Sequence, residues 1–375
     1  MATASGRKRN IAEECNPGDL KALTGFKNGI HIDTSGRLAK WVGRSCCRWE
    51  GVSCNNATGR VTEIRLPGFI STNDFIFQSQ MEGRLSPSIT LLTSLEVLDL
   101  GELIGLTGRI PPSIGHLQNL KELYLYKNKL RGPVPESIGC GIEGQIPDFL
   151  QSTPSPIQEL DLSVNHLNGA IPSWIGSLTQ LYSLNLSRNH FVSGIPDSVA
   201  DLQELGVLDL HSNKISGSMN QVFKIGNSFP DGSLTYVDLS DNSFTSGTEQ
   251  IGVGAQQRIQ YLNLSHNLLE GQLPTSIGKL KALQSLDLSC NKFGFSLAEA
   301  IANLSLLETL KLQRNHFTGK IPVKFLNLKN LKDLDLSDNL LEGEIPAGKP
   351  LSDFPQSSFT GNRGLCGKPL SPCMS

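Results

Sequence analysis

LYSLNLSRNHFVSGIPDSVADLQE, residues 181–204, holds one structural unit in 24 residues. Leu181, Leu184 and Leu186 point one way and the residues between them the other, as a short strand requires. Asn189 falls where the chain leaves that strand. Its amide carries two donors and an acceptor, so it can serve backbone groups of its own turn and of a neighbour. The SGIP segment that follows turns at glycine and runs extended at proline, which supplies no backbone donor. Val199 then offers an apolar side chain from the opposite side of the coil.

The unit recurs. Asn128, Asn165, Asn189, Asn213, Asn242, Asn267, Asn291, Asn315 and Asn339 each close an LxLxxN phrase (VDLSDN at Asn242), and most steps between them are 24 or 25 residues. A fixed period of this length marks a solenoid, a stack of coils in which each buries its apolar face against the next. Adjacent strands should pair in parallel about 4.8 Å apart, and the nine asparagines should form a buried structural ladder. These Leu, Asn, Gly and Pro residues are scaffold whatever the protein binds. A long, shallow surface of this kind suits macromolecular recognition better than chemistry.

The consensus LxxLxLxxNxLxGxIPxx resembles the plant-type leucine-rich repeat, the class of receptor-like proteins, receptor kinase ectodomains and polygalacturonase-inhibiting proteins. GxIP occurs at Gly108, Gly144, Gly169, Gly319 and Gly343, with variants at Gly132 and Gly271. The resemblance implies an α/β solenoid: a right-handed superhelix with a parallel β-sheet on its concave face and disulfide-bonded caps at both ends. SCCRWEGVSC, ending at Cys54, resembles the N-terminal cap, and FTGNRGLCGKPLSPC, ending at Cys373, the C-terminal cap. By that resemblance Cys15 pairs with Cys46, Cys47 with Cys54, and Cys366 with Cys373, leaving Cys140 and Cys290 free. Closing a loop of about 30 residues contributes about 3.5 kcal/mol on the chain-entropy model. A zinc site is the rival reading of clustered cysteines, but the spacing lacks paired CxxC or a histidine set.

The expected organisation is an atypical segment 1–12, an N-terminal cap 13–60, about 11 coils over 61–349, and a C-terminal cap 350–375. Residues 1–12 lack the apolar stretch of a secretory signal, and we read the signal peptide as missing from this version of the sequence. Residues 67–82 are an insertion. Between Asn128 and Asn165 the step is 37 residues, because GPVPESIG runs almost directly into GIEGQIP. One coil near 132–150 is therefore truncated: the chain loops out, or part of a coil has been lost. The step from Asn213 to Asn242 reads as a modest loop.

A formal charge of −2 gives no nucleic-acid footprint, and no apolar run reaches the length of a membrane span. Phosphate loops, kinase signatures, GxSxG and HExxH are missing, so the expectation is no catalytic site, no metal and no cofactor. Asn56, Asn185, Asn263 and Asn303 begin Asn-x-Ser/Thr glycosylation acceptors, which with the cap cysteines point to an extracellular protein at the cell surface or in the apoplast. An Asp column (Asp99, Asp161, Asp209, Asp238, Asp287, Asp335) reads as a hydrated ladder.

All five tyrosines fall at outward strand positions, and Tyr and Arg are common interface anchors. The candidate binding residues are Tyr124, Tyr126, Lys127, Tyr182, Arg188, Tyr236, Tyr261, His266 and Arg314. The expected function is recognition of a peptide or protein ligand in signalling or defence, with a leucine-rich repeat receptor kinase as the co-receptor the resemblance offers. The alternative is a secreted inhibitor of a cell-wall-degrading enzyme such as polygalacturonase.

Overall fold

The computed structural model describes residues 15–71, 76–138 and 155–373. The atypical segment 1–12, Cys140 and most of the truncated coil lie outside them. The chain divides into two compact units, residues 1–167 and 168–375.

The first unit begins with its cap. Asn16 caps the helix Pro17–Gly29 by accepting from the Gly18 N–H, and Pro17 occupies the first turn, where no donor is needed. Ala22, Leu23 and Phe26 form its buried stripe. Phe26 meets Trp41, which stacks on Trp49 at 5.2 Å, beside the disulfides Cys15–Cys46 and Cys47–Cys54. Asp19 is completely buried and takes a bidentate pair from Arg60 (2.9 and 2.8 Å) plus the Val61 N–H (2.9 Å). That carboxylate ties the cap helix to the first repeat strand.

The main sheet of this unit runs Val52–Cys54, Val61–Arg65, Val97–Asp99, Glu122–Tyr124 and Glu159–Asp161. Val52–Cys54 is antiparallel and covers an edge that would otherwise be open; the others are parallel and in register. The insertion folds as a hairpin, Phe69–Ser71 against Ile76–Gln78. Its base is held by Arg37, a buried guanidinium that donates to the carbonyls of Leu66 and Pro67 and to Ser79 Oγ. Burial lowers the Arg37 pKa from its ordinary value, Asp33 opposing.

The second unit has seven parallel main-sheet strands: Ser183–Asn185, Val207–Asp209, Tyr236–Asp238, Tyr261–Asn263, Ser285–Asp287, Thr309–Lys311 and Asp333–Asp335. The central residue of each is buried and its neighbours are partly exposed, except that Asp238 is buried and Asp333 is exposed. Behind the strands, short 3-10 turns such as Thr275–Lys279 and Val323–Asn327 supply Ile277 and Phe325 to the core. Phe191, Phe244, Phe293 and Phe317, each two residues past a ladder Asn, are fully buried. The loop from Asn213 to Asn242 is packed, with buried Gln256 bonding the Phe223 and Gln250 carbonyls.

The ladder is present in both units. Asn267 Nδ2 donates to the carbonyls of Leu239, Leu264 and Ser265, and its Oδ1 accepts from Phe244 N–H at 2.9 Å. Asn128 and Asn165 do the same in the first unit. The sequence reading missed one member: Asn362, in the C-terminal cap closed by Cys366–Cys373, bonds Leu336 O, Phe359 O and Leu341 N. The step from Asn339 is 23 residues, but Phe359 replaces the usual leucine and hid it. The cap is a modified coil, and its strand Gly364–Cys366 pairs in parallel with Leu340–Glu344.

Candidate functional site

What reaches solvent from the main sheet is decided by three positions per coil. The first two flank the buried central residue of the strand. The third is the residue before each ladder Asn, where the backbone is left-handed: φ is 49° at Lys127, 52° at Arg188 and His266, and 55° at Arg314. Such φ values are uncommon outside glycine, and the Asn bonds on the next residue hold them. Lys127, Arg188, His266 and Arg314 are all exposed there. Nothing in the sequence marks this position, because Val164, Ser212, Asp241, Cys290 and Asp338 occupy it too.

The Asp column is not simply hydrated. Asp99, Asp161, Asp209, Asp238, Asp287 and Asp335 each accept, through Oδ1, the backbone N–H two residues on. Each is an Asx turn that bends the chain off its strand. Asn185 plays the same part, taking both N–H and Oγ–H of Ser187.

In the first unit Tyr124 stands between Asp99 and Asp161 in strand register, and its hydroxyl donates to Glu159 at 2.5 Å. Burial and then that carboxylate hold the phenol proton well above its usual range. Tyr126 lies beyond the strand end, with its ring on Gly101: a Cβ there would sit 2.3 Å from a ring carbon. Burial, then Asp99, Glu102 and Asp161, raises its pKa. Among the described residues the cations of this face are matched: Arg65 to Glu63 (3.1 Å) and Glu122 (3.3 Å), Lys121 to Glu96 (2.7 Å), and Lys127 to Glu102.

In the second unit Tyr236 and Tyr261 are register partners. Their rings stack at 4.5 Å and 3°, a separation set by the strand spacing. Burial and the neighbouring Asp238 raise both phenol pKa values. Tyr182 precedes its strand, is 53% exposed, and lies over Gly206. Leu181 beside it is fully buried.

Arg188 Nε donates to His211 Nε2 at 3.1 Å, and His211 Nδ1 meets Asp209 at 2.6 Å. The Asp209 bond raises the His211 pKa. Because the folded-state value is raised, this pair stabilises the fold fully below the ordinary histidine pKa and loses that contribution as pH rises through the elevated value. Proton-detected NMR of Asp209→Asn should show the His211 midpoint shifted down; an unmoved midpoint would contradict the pairing.

Asn56 and Asn303 are exposed, whereas Asn263 Nδ2 donates to Asp238 and to Tyr261 OH. Cys46, Cys47 and Cys54 lie close enough to suggest a metal site, but two disulfides consume them. Cys290 is unbonded. No helix among the described residues is long and apolar enough to cross a membrane.

A leucine rich repeat N-terminal domain model matches residues 16–55, and leucine rich repeat models match 119–141, 155–223, 232–293 and 282–341. Receptor-like protein 41 of Arabidopsis thaliana is 34% identical over 267 residues, 70% of this chain and 23% of that protein. A polygalacturonase inhibitor of Vitis vinifera is 33% identical over 117 residues, 31% of this chain and 32% of that one. The chain thus spans about a third or less of the length of these curated relatives. Among solved structures, a plant ice-binding protein matches with TM-score 0.66 at 26% identity, over 97% of this chain and 99% of that one. The plant peptide hormone receptor RGFR1 in complex with RGF2 matches with TM-score 0.54 at 28% identity, over 76% of this chain and 50% of that one.

Proposed function

The chain belongs to the leucine-rich repeat proteins of the plant receptor-like type, and we propose that it is an extracellular recognition module that binds a peptide or protein on the exposed face of its main sheet. The observation that carries this is the Tyr236–Tyr261 pair. A scaffold needs neither ring. Strand register holds them parallel before any ligand arrives, so little side-chain entropy remains to be lost on binding. Arg188 and His266 stand at left-handed positions of the same sheet, His266 in the coil of Tyr261 and Arg188 two coils before that of Tyr236. The solved relative RGFR1 was captured with a peptide hormone, which supports a peptide as the ligand class. Three disulfides support an oxidising compartment.

The test is selection of binders from a displayed peptide library, followed by affinity measurement on variants. Tyr236→Ala/Tyr261→Ala should weaken binding by about thirtyfold, the effect of losing about 2 kcal/mol of aromatic anchoring. Lys279→Ala/Lys324→Ala, on the 3-10 turns behind the sheet, should leave it unchanged. The opposite pattern would place the site on the turn side. Likeness to the Vitis inhibitor keeps inhibition of polygalacturonase as the second reading, and loss of enzyme activity on titration with this protein would establish it.

A further inference from the structure

We propose that the main-sheet face of the first unit is a seat for a cationic segment: an extended peptide bearing arginine or lysine, with its charged heads against Asp99 and Glu159 and its side chains on the rings of Tyr124 and Tyr126. This rests on reading the main sheet as the recognition face, and names the partner's chemistry.

Three features point the same way. First, among the described residues the face has no cation to spare: Arg65, Lys121 and Lys127 are each held by carboxylates. Asp99 and Glu159 take hydrogen bonds from neutral donors, the Gly101 N–H and the Tyr124 hydroxyl; Arg65, the register partner of Asp99, gives its own hydrogen bonds to Glu63 and Glu122. A carboxylate so placed keeps its charge available to a cation from outside. Second, the chain as a whole is near neutral, at −2, so a face on which every cation is already matched and further carboxylates remain is a local concentration of negative potential, of the kind that steers a basic partner. Third, the aromatic rings stand within that field. Strand register puts Tyr124 directly between Asp99 and Asp161, and Tyr126 rests on Gly101 with Asp99, Glu102 and Asp161 around it. A ring face bordered by carboxylates favours a guanidinium or ammonium over any neutral or anionic group. Outward strand residues recur every second position, the repeat of an extended peptide laid along or across them.

The probe is an amidated Gly-Arg repeat peptide, with its Gly-Glu counterpart, titrated into the full chain by calorimetry at low and physiological salt. The Arg peptide should bind and the Glu peptide should not, with affinity falling as salt rises. Asp99→Asn/Glu159→Gln keeps both acceptors, and with them the Gly101 and Tyr124 bonds, but removes the charge. It should weaken the Arg peptide about tenfold or more. Gly101→Ala, which displaces the Tyr126 ring, should weaken it with the charges intact. Equal binding by wild type and the Asp99→Asn/Glu159→Gln variant overturns the proposal. Should library-selected ligands depend on Tyr236 and Tyr261 while the Arg peptide fails to bind, this inference falls and the recognition reading stands. Should the Arg peptide depend on Asp99 and Glu159 while the Tyr236→Ala/Tyr261→Ala variant binds selected ligands normally, the reverse holds.

Discussion

Replacing Asn267 with alanine should lower stability by about 3 kcal/mol, read as a shift in urea midpoint at unchanged slope. The size follows from which groups lose their partners. Asn267 is buried and makes four hydrogen bonds. The three carbonyls keep other donors: Asn242 on Leu239, Asn291 on Leu264, and the Asp241 N–H on Ser265. The Phe244 N–H is the group left without the acceptor it uses, in a buried place, and that costs about 1–3 kcal/mol. The emptied amide volume and the loosened left-handed His266 add to it. Asn185→Ala is the comparison. The sequence alone suggests no effect, but Asn185 holds an Asx turn through Ser187, so about 1 kcal/mol should be lost. Equal midpoints for wild type and Asn267→Ala, measured without glycans, would remove the ladder from the account.

Asp19→Ala should cost about 3–5 kcal/mol, the range for breaking a buried ion pair by removing one partner. Asp19 is completely buried, whereas the Arg60 side chain is 27% exposed, which places the expected value toward the lower end. The variant leaves a guanidinium and the Val61 N–H without the carboxylate they share. Asp19→Leu/Arg60→Met should recover most of the loss, since an apolar pair of similar volume has no charge to compensate. A single variant as stable as wild type would mean the cap helix does not depend on this tie. A double variant no better than the single would mean that packing, not charge, is at stake.

The period made the strands, the ladder and the caps legible, because each depends on a narrow choice of residue type: an aliphatic side chain, mostly leucine, inward, asparagine at the turn, cysteine at the ends. What stayed hidden depends on position without a residue signature. The left-handed site before each Asn admits Lys, Arg, His, Val, Ser, Asp and Cys alike, since the neighbouring amide, not the side chain, holds the backbone. Gly101 and Gly206 are the seats of Tyr126 and Tyr182, a role that no residue pattern marks. The Asp column was visible, but its function as a set of Asx turns is a backbone fact. Asp19 carries no mark in the sequence of its place as a fully buried anchor. On the candidate face, the tyrosines could be found from alternation, whereas their stacking and their carboxylate neighbours come from strand register.

The most direct test of the recognition face is hydroxyl-radical footprinting of the protein with and without a library-selected ligand. Tyr236 and Tyr261 report the main-sheet face of the second unit. Phe295, 63% exposed, and Trp174, on the 3-10 turn Ser173–Ser177, report its other sides. The account predicts that ligand protects both tyrosines from oxidation and leaves Phe295 and Trp174 unchanged. Protection of Phe295 or Trp174, with Tyr236 and Tyr261 oxidised as in the free protein, would contradict it.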